Sequence, residues 1–105
     1  MEIGEFQRRL RALYEARDRD RGRDATFLWF VEEVGELSRA LRRGERGNLE
    51  EEFSDALAWL VSVATLCDID MEKAAARFAR GCPRCGRTPC RCPTARPRGH
   101  RPKRR

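Results

Sequence analysis

"EEVGELSRALRRGERGNLEEEFSDALAWL", residues 32–60, holds two apolar stripes separated by a short break. Val34, Leu37 and Leu41 line the first, and Leu49, Phe53, Ala56 and Leu60 the second. Steps of three and four residues are the helical period, not the alternation of a strand. The break, "GERGN" (44–48), carries two glycines and Asn48, a residue suited to an N-cap, so it ends one helix and starts the next. Helices joined by so short a connection are antiparallel neighbours. The stretch predicts a helical hairpin.

Outward from the hairpin the same period continues. Phe27 and Phe30 carry the first helix back to about residue 25, and it runs to 43. The second runs over 49–67, where Ala64 and Cys67 extend the stripe and Leu57 and Val61 widen it. Cys67 reads as a small core residue. Ile3, Phe6, Leu10, Leu13 and Tyr14 predict a helix over 2–17, followed by a charged connection, "RDRDRGRD" (17–24). Asp70 is placed to cap a short fourth helix through Arg80, with Met71, Ala74, Ala75 and Phe78 inward. No segment alternates with period two, and no proline precedes position 83. The expected fold is an all-α four-helix bundle over residues 1–80. Helix 49–67 is apolar around more of its circumference than a small monomer covers, so a homodimer or homotetramer is expected.

Composition bounds the rest. A chain of 105 residues is one small domain, near the lower limit for a self-sufficient core. The longest apolar run, "ALAWLVSVATLC" (56–67), is interrupted by Ser and Thr and falls short of the ~20 residues of a membrane span. "MEIGEFQRRL" lacks the basic and apolar regions of a secretory signal, so a cytoplasmic location without membrane contact is expected. The net charge of +6 misleads as an average. Residues 1–80 carry 14 Lys and Arg against 17 Asp and Glu, whereas residues 81–105 carry 9 basic residues and no acid. The basicity belongs to the tail and says little about the domain's own ligand.

The hairpin's acids are unusual in their placement. Glu33 and Glu36 on the first helix, and Glu52 and Asp55 on the second, are each spaced i, i+3 beside the apolar stripe. In an antiparallel pair the two strips can face each other. Four converging carboxylates repel, and bound cations relieve that repulsion. Acid pairs of this spacing also occur on solvated helix faces, and spacing alone does not separate the two readings. A di-iron bundle needs His at i+3 of Glu, and the one histidine, His100, lies in the tail and is given no role. Oxygen ligands alone favour Mg²⁺ or Mn²⁺ over iron or zinc. Mg²⁺ keeps waters and bridges phosphate oxygens, which points to a phosphate substrate.

"EEVGEL" followed by "EEFSDALAWLVSVA" resembles the MazG family of nucleoside triphosphate pyrophosphohydrolases, with its EExxE and later ExxD motifs. The resemblance covers residues 1 to about 76. It implies an all-α, oligomeric enzyme that uses Mg²⁺ to cleave a nucleoside triphosphate to the monophosphate and pyrophosphate. It places metal ligands on Glu33, Glu36, Glu52 and Asp55, and adds Glu32, the motif's first acid, to the catalytic set. The family's basic last-helix segment is matched only by Lys73, Arg77 and Arg80 of "MEKAAARFAR". With no His or Cys in the acid strips, the attacking group is expected to be a metal-activated water held by carboxylates. Arg43, Lys73 and the arginines of 17–23 are candidate triphosphate contacts, although single arginines are commonly just solvated.

Trp29 precedes Glu33 by four residues and Trp59 follows Asp55 by four. In an antiparallel pair both indoles flank the same end of the carboxylate cluster, as a base-stacking wall or as structural residues. The resemblance favours Trp59 as base-proximal. The related phosphoribosyl-ATP pyrophosphatases would carry a His where Trp59 stands, which disfavours that alternative.

"CPRCGRTPCRC" (82–92) supplies Cys82, Cys85, Cys90 and Cys92. C-P-x-C-G is the turn of a zinc knuckle, whose backbone N–H groups point at thiolates; redox-active or idle thiols are the other reading. Residues 93–105, "PTARPRGHRPKRR", lack apolar anchors and are expected to be disordered, serving either weak, salt-sensitive, nonspecific nucleic-acid contact or solubility alone. A nucleic-acid-binding adaptor, with knuckle and tail carried on a helical dimer, is the alternative of a different class. Two matched acid strips would serve no purpose in it.

Overall fold

The computed structural model describes residues 1–44 and 46–94. Three long helices dominate it: α1 (Ile3–Arg21), α2 (Arg23–Arg43) and α3 (Arg46–Leu66). A short α4 (Met71–Ala75) tightens into a 3₁₀ turn over Ala76–Phe78. No strand occurs among the described residues, and the fold is all-α. None of these helices is long and apolar enough to cross a membrane. The chain forms two compact units, Met1–Ala74 and Ala75–Arg105.

Several boundaries differ from those expected, each for a local reason. The charged segment after residue 17 continues α1, because its charges fall at helical spacing: Arg19 pairs with Glu15 at 2.9 Å and Arg21 with Asp18 at 2.8 Å. Only Gly22 separates α1 from α2, at φ 99°, ψ 155°, a conformation open to glycine without strain. Gly44 ends α2 in the left-handed region, its N–H donating to Ala40 O at 2.9 Å. Asn48 does not cap α3, which starts two residues earlier. Gly47 is tolerated there because the first turn makes few intrahelical bonds of its own.

Asp70 Oδ1 accepts from the N–H groups of Glu72 at 2.9 Å and Lys73 at 3.4 Å, capping α4. That helix is shorter than expected. The change to three residues per turn takes Phe78 off the 3.6-residue stripe, and it is 61 % exposed instead of inward. Cys67 likewise is exposed, lying just past the end of α3. The predicted disordered tail falls, from residue 95 onward and including His100, outside the described residues.

Within residues 1–74, α2 and α3 pack most extensively and α1 lies chiefly on α3. Trp29 meets Trp59 while Glu33 meets Asp55, so α2 and α3 run antiparallel. Leu10, Ala40, Leu49 and Val61 form the buried apolar core. Gln7, buried beside it, is fully partnered. Gln7 Nε2 donates to Thr65 Oγ1 (3.0 Å) and Ile69 O (2.9 Å), and Gln7 Oε1 accepts from Met71 N–H (2.9 Å). One amide thus ties α1 to the end of α3 and the start of α4. Phe27, Val31 and Val34 on α2, and Phe53, Leu57 and Leu60 on α3, remain exposed on the single chain.

Candidate active site

Packing α2 against α3 in this register brings three of the four paired acids together. One carboxylate oxygen each from Glu33, Glu52 and Asp55 lies within 4.8 Å of the others. Glu33 and Glu52 are half-buried, and Glu33 Oε1 is buried without a hydrogen-bond partner among the described residues. No ion pair reaches any of the three among those residues. Burial, then the charge of Asp55, the contact and charge of Glu52, and the charge of Glu36 push the Glu33 carboxyl from its ordinary 4.5 up to about 7. Among the described residues the trio thus gathers negative charge with no cation ion-paired to it.

Glu36, the remaining member of the pairs, is turned to Arg39 at 2.6 Å, an i, i+3 ion pair on the surface of α2. Glu32 is exposed and outside the trio. The donor set fits a hard divalent cation. Mg²⁺ binds oxygens at 2.0–2.1 Å, which sets neighbouring ligand oxygens about 3 Å and opposed ones about 4 Å apart, and three oxygens already within 4.8 Å of one another are near enough to share one ion.

Beside the acids the two indoles stack, ring centroids 6.0 Å apart and planes 16° from parallel. Arg21 lies over Trp59, its guanidinium carbon 5.2 Å from the ring centroid. Asp18, 5 % exposed, pairs with Arg21, and Thr26 Oγ1 accepts from the same guanidinium at 3.2 Å. A cavity of about 290 Å³ opens here, walled by Tyr14, Arg17, Asp18, Arg21, Asp55 and Trp59, among others. It therefore joins one metal-fitting carboxylate to an aromatic face and two guanidinium-bearing residues. Trp29, Arg43 and Lys73 do not line it.

The sequence groups the arginines of 17–23 without singling out Arg21, and does not mark Asp18 or Tyr14 as walls. A helical reading through residue 21 would have set Tyr14, Asp18 and Arg21 at i, i+4, i+7, on one face.

The thiols form a second cluster. The sulfurs of Cys82, Cys85, Cys90 and Cys92 all lie within 4.8 Å of one another. Backbone N–H groups of Cys85 and Arg84 hold the Cys82 thiol down at about 6, and those of Arg91 and Arg87 lower Cys85. Neighbouring thiols, Cys90 first and then Cys82, push Cys92 up to about 12.

Residues 21–85 match the family model of the MazG nucleotide pyrophosphohydrolase domain, well over half of the chain. No curated protein matches the sequence at a significant level. The match starts at the last residue of α1 and spans both acid-bearing helices, leaving most of α1 outside it. The chain belongs to the MazG family of nucleotide pyrophosphohydrolases.

Proposed function

We propose that this MazG-family chain hydrolyses a nucleoside triphosphate to the monophosphate and pyrophosphate, with Mg²⁺ or Mn²⁺ held by Glu33, Glu52 and Asp55. The observation that carries the reading is the uncompensated trio with its orphaned, half-buried Glu33. Glu36 joins the ligand set by leaving Arg39, and Glu32 supports it from the exposed side. Bound cations supply polarisation of the α-phosphate and neutralise charge on the departing pyrophosphate.

The chain's own residues do the rest. Trp59 offers the base a face, with Trp29 stacked against it. Arg17 and Arg21 bring positive charge to the cavity wall, and Asp18 holds Arg21 in place. Arg43 and Lys73 stand outside this cavity and act only on substrate reaching beyond it. Water attacks the α-phosphorus, giving its proton to a carboxylate of the acid strips. The bond from the α-phosphorus to its bridging oxygen breaks, and pyrophosphate leaves with the electron pair. A second copy of the chain covers the exposed apolar stripes, as a homodimer or dimer of dimers. An adaptor has no use for three acids pressed together, and a contact of the basic tail with nucleic acid would be incidental to this chemistry.

A panel of ribo- and deoxynucleoside triphosphates, scored for monophosphate, pyrophosphate and orthophosphate with Mg²⁺, Mn²⁺ or EDTA, tests the reading. Pyrophosphate release with either metal, and none in EDTA, is expected. Asp55→Asn should abolish turnover with the helical circular dichroism intact. Orthophosphate as first product, or undiminished activity in EDTA, would sink it.

A further inference from the structure

We infer that Cys82, Cys85, Cys90 and Cys92 hold one Zn²⁺ ion in a closed tetrathiolate centre that builds the fold of the C-terminal unit. Four thiolates around a single Zn²⁺, at 2.3 Å each in a tetrahedron, stand about 3.8 Å apart. Here Cys82 and Cys92 sulfurs are 3.7 Å apart and those of Cys85 and Cys90 are 4.0 Å apart, with all four inside one 4.8 Å limit. That spacing leaves room for one ion. It is too tight for a multi-iron cluster, in which the thiolates bind different irons and spread apart.

The backbone around the sulfurs is arranged for thiolates. Arg84 N–H points at Cys82 Sγ (3.4 Å), Arg91 N–H at Cys85 Sγ (3.2 Å) and Cys92 N–H at Cys90 Sγ (3.3 Å). Such donors offset the net negative charge of a tetrathiolate and orient its ligands. The first half closes as a turn, Gly86 N–H donating to Cys82 O at 2.7 Å with Gly86 at φ 75°. Cys82 N–H returns the chain to Arg87 O at 3.0 Å. The second half, C-x-C, is compact, and both its cysteines still reach the same point as the first pair.

The unit also needs a staple. Among its described residues, 75–94, none is buried, so no apolar core holds these turns together. A segment of this kind takes its folding free energy from the ion. Because all four positions around the metal are protein sulfur, no site remains for water or substrate, and the role is structural. None of the ligands comes from residues 1–74.

The test uses the full-length chain purified under reducing conditions. Elemental analysis should find one zinc per chain. After removal of zinc in a chelator, Co²⁺ added alone should give the ligand-field bands of a tetrahedral tetrathiolate. Cys82→Ser and Cys90→Ser should each lose stoichiometric zinc, whereas Cys67→Ser, outside the cluster, should keep it. Nucleotide hydrolysis by the two zinc-less variants should stay within about twofold of wild type, since none of the four thiols belongs to the acid trio. Loss of hydrolysis in them would overturn the purely structural role. Zinc absent from the reduced chain, zinc retained in both variants, iron in its place, or cysteines isolated as disulfides would each overturn the zinc centre itself.

Discussion

Trp29 and Trp59, thirty positions apart on neighbouring antiparallel helices, stack with ring centroids 6.0 Å apart and planes 16° from parallel. Their roles nevertheless divide, because Trp59 lines the cavity with Asp55 and Trp29 does not. A base resting on Trp59 gains about 1–3 kcal/mol from stacking. Trp59→Ala should therefore raise KM for the preferred nucleotide by roughly tenfold or more, with a smaller change in kcat. Trp29→Ala should move KM less. Steady-state kinetics on both variants, with circular dichroism to check folding, separates this from a purely structural Trp59, which would leave KM unchanged or unfold.

Glu33 makes stability depend on pH in a definite direction. Its carboxyl titrates near 4.5 when unfolded and at about 7 in the fold. Between these values the native state keeps a proton that the unfolded chain has lost, so stability falls as pH rises. The contribution is intact below about 4.5 and gone above about 7. In EDTA, Tm should fall across this window, and Glu33→Gln should flatten that part of the slope. Added Mg²⁺ should raise Tm more at pH 8 than at pH 5, through binding to the ionised cluster. An identical slope in Glu33→Gln would remove Glu33 as its source.

Gln7 uses its amide fully, and its loss should be felt in stability rather than chemistry. Gln7→Leu strands the N–H of Met71 and the carbonyl of Ile69. Leaving such groups unpartnered costs about 1–3 kcal/mol each where water cannot reach them. Urea denaturation should show a lower midpoint with kcat little changed at low temperature. An unaltered midpoint would mean that water replaces the amide.

The apolar stripes on α2 and α3 should be covered in solution. Phe27, Val31, Val34, Phe53, Leu57 and Leu60 are each between 41 % and 53 % exposed on the single chain. Sedimentation at micromolar concentration should find a dimer or larger, and Leu57→Arg should dissociate it. A folded wild-type monomer under those conditions would contradict the expectation.

What could be read from the sequence was whatever depends on spacing along one helix or turn. Glu33, Glu52 and Asp55 could be placed beside the hairpin's stripe because helical period and a short connection determine their faces. The diversion of Glu36 to Arg39 could not, since an exposed ion pair at i, i+3 competes with convergence by amounts no pattern reveals. Asp18 looked like one more charge in a charged run. Its burial arises only when α1 settles on α3, a contact between residues some forty positions apart. The cysteines were legible because their geometry is set within eleven consecutive residues.

Gly22 is the only residue between α1 and α2, and both its backbone groups are engaged: N–H to Asp18 O at 2.8 Å, and C=O to Thr26 N–H and hydroxyl at 3.0 and 2.8 Å. The joint has no slack. One extra residue added to either helix there would turn the helix by about 100° and advance it by about 1.5 Å, swinging Arg21 off the Trp59 ring. Chains of this design are therefore fixed in how many residues stand at the joint. An insertion at residue 22 would silence the cavity wall without changing any residue that forms it.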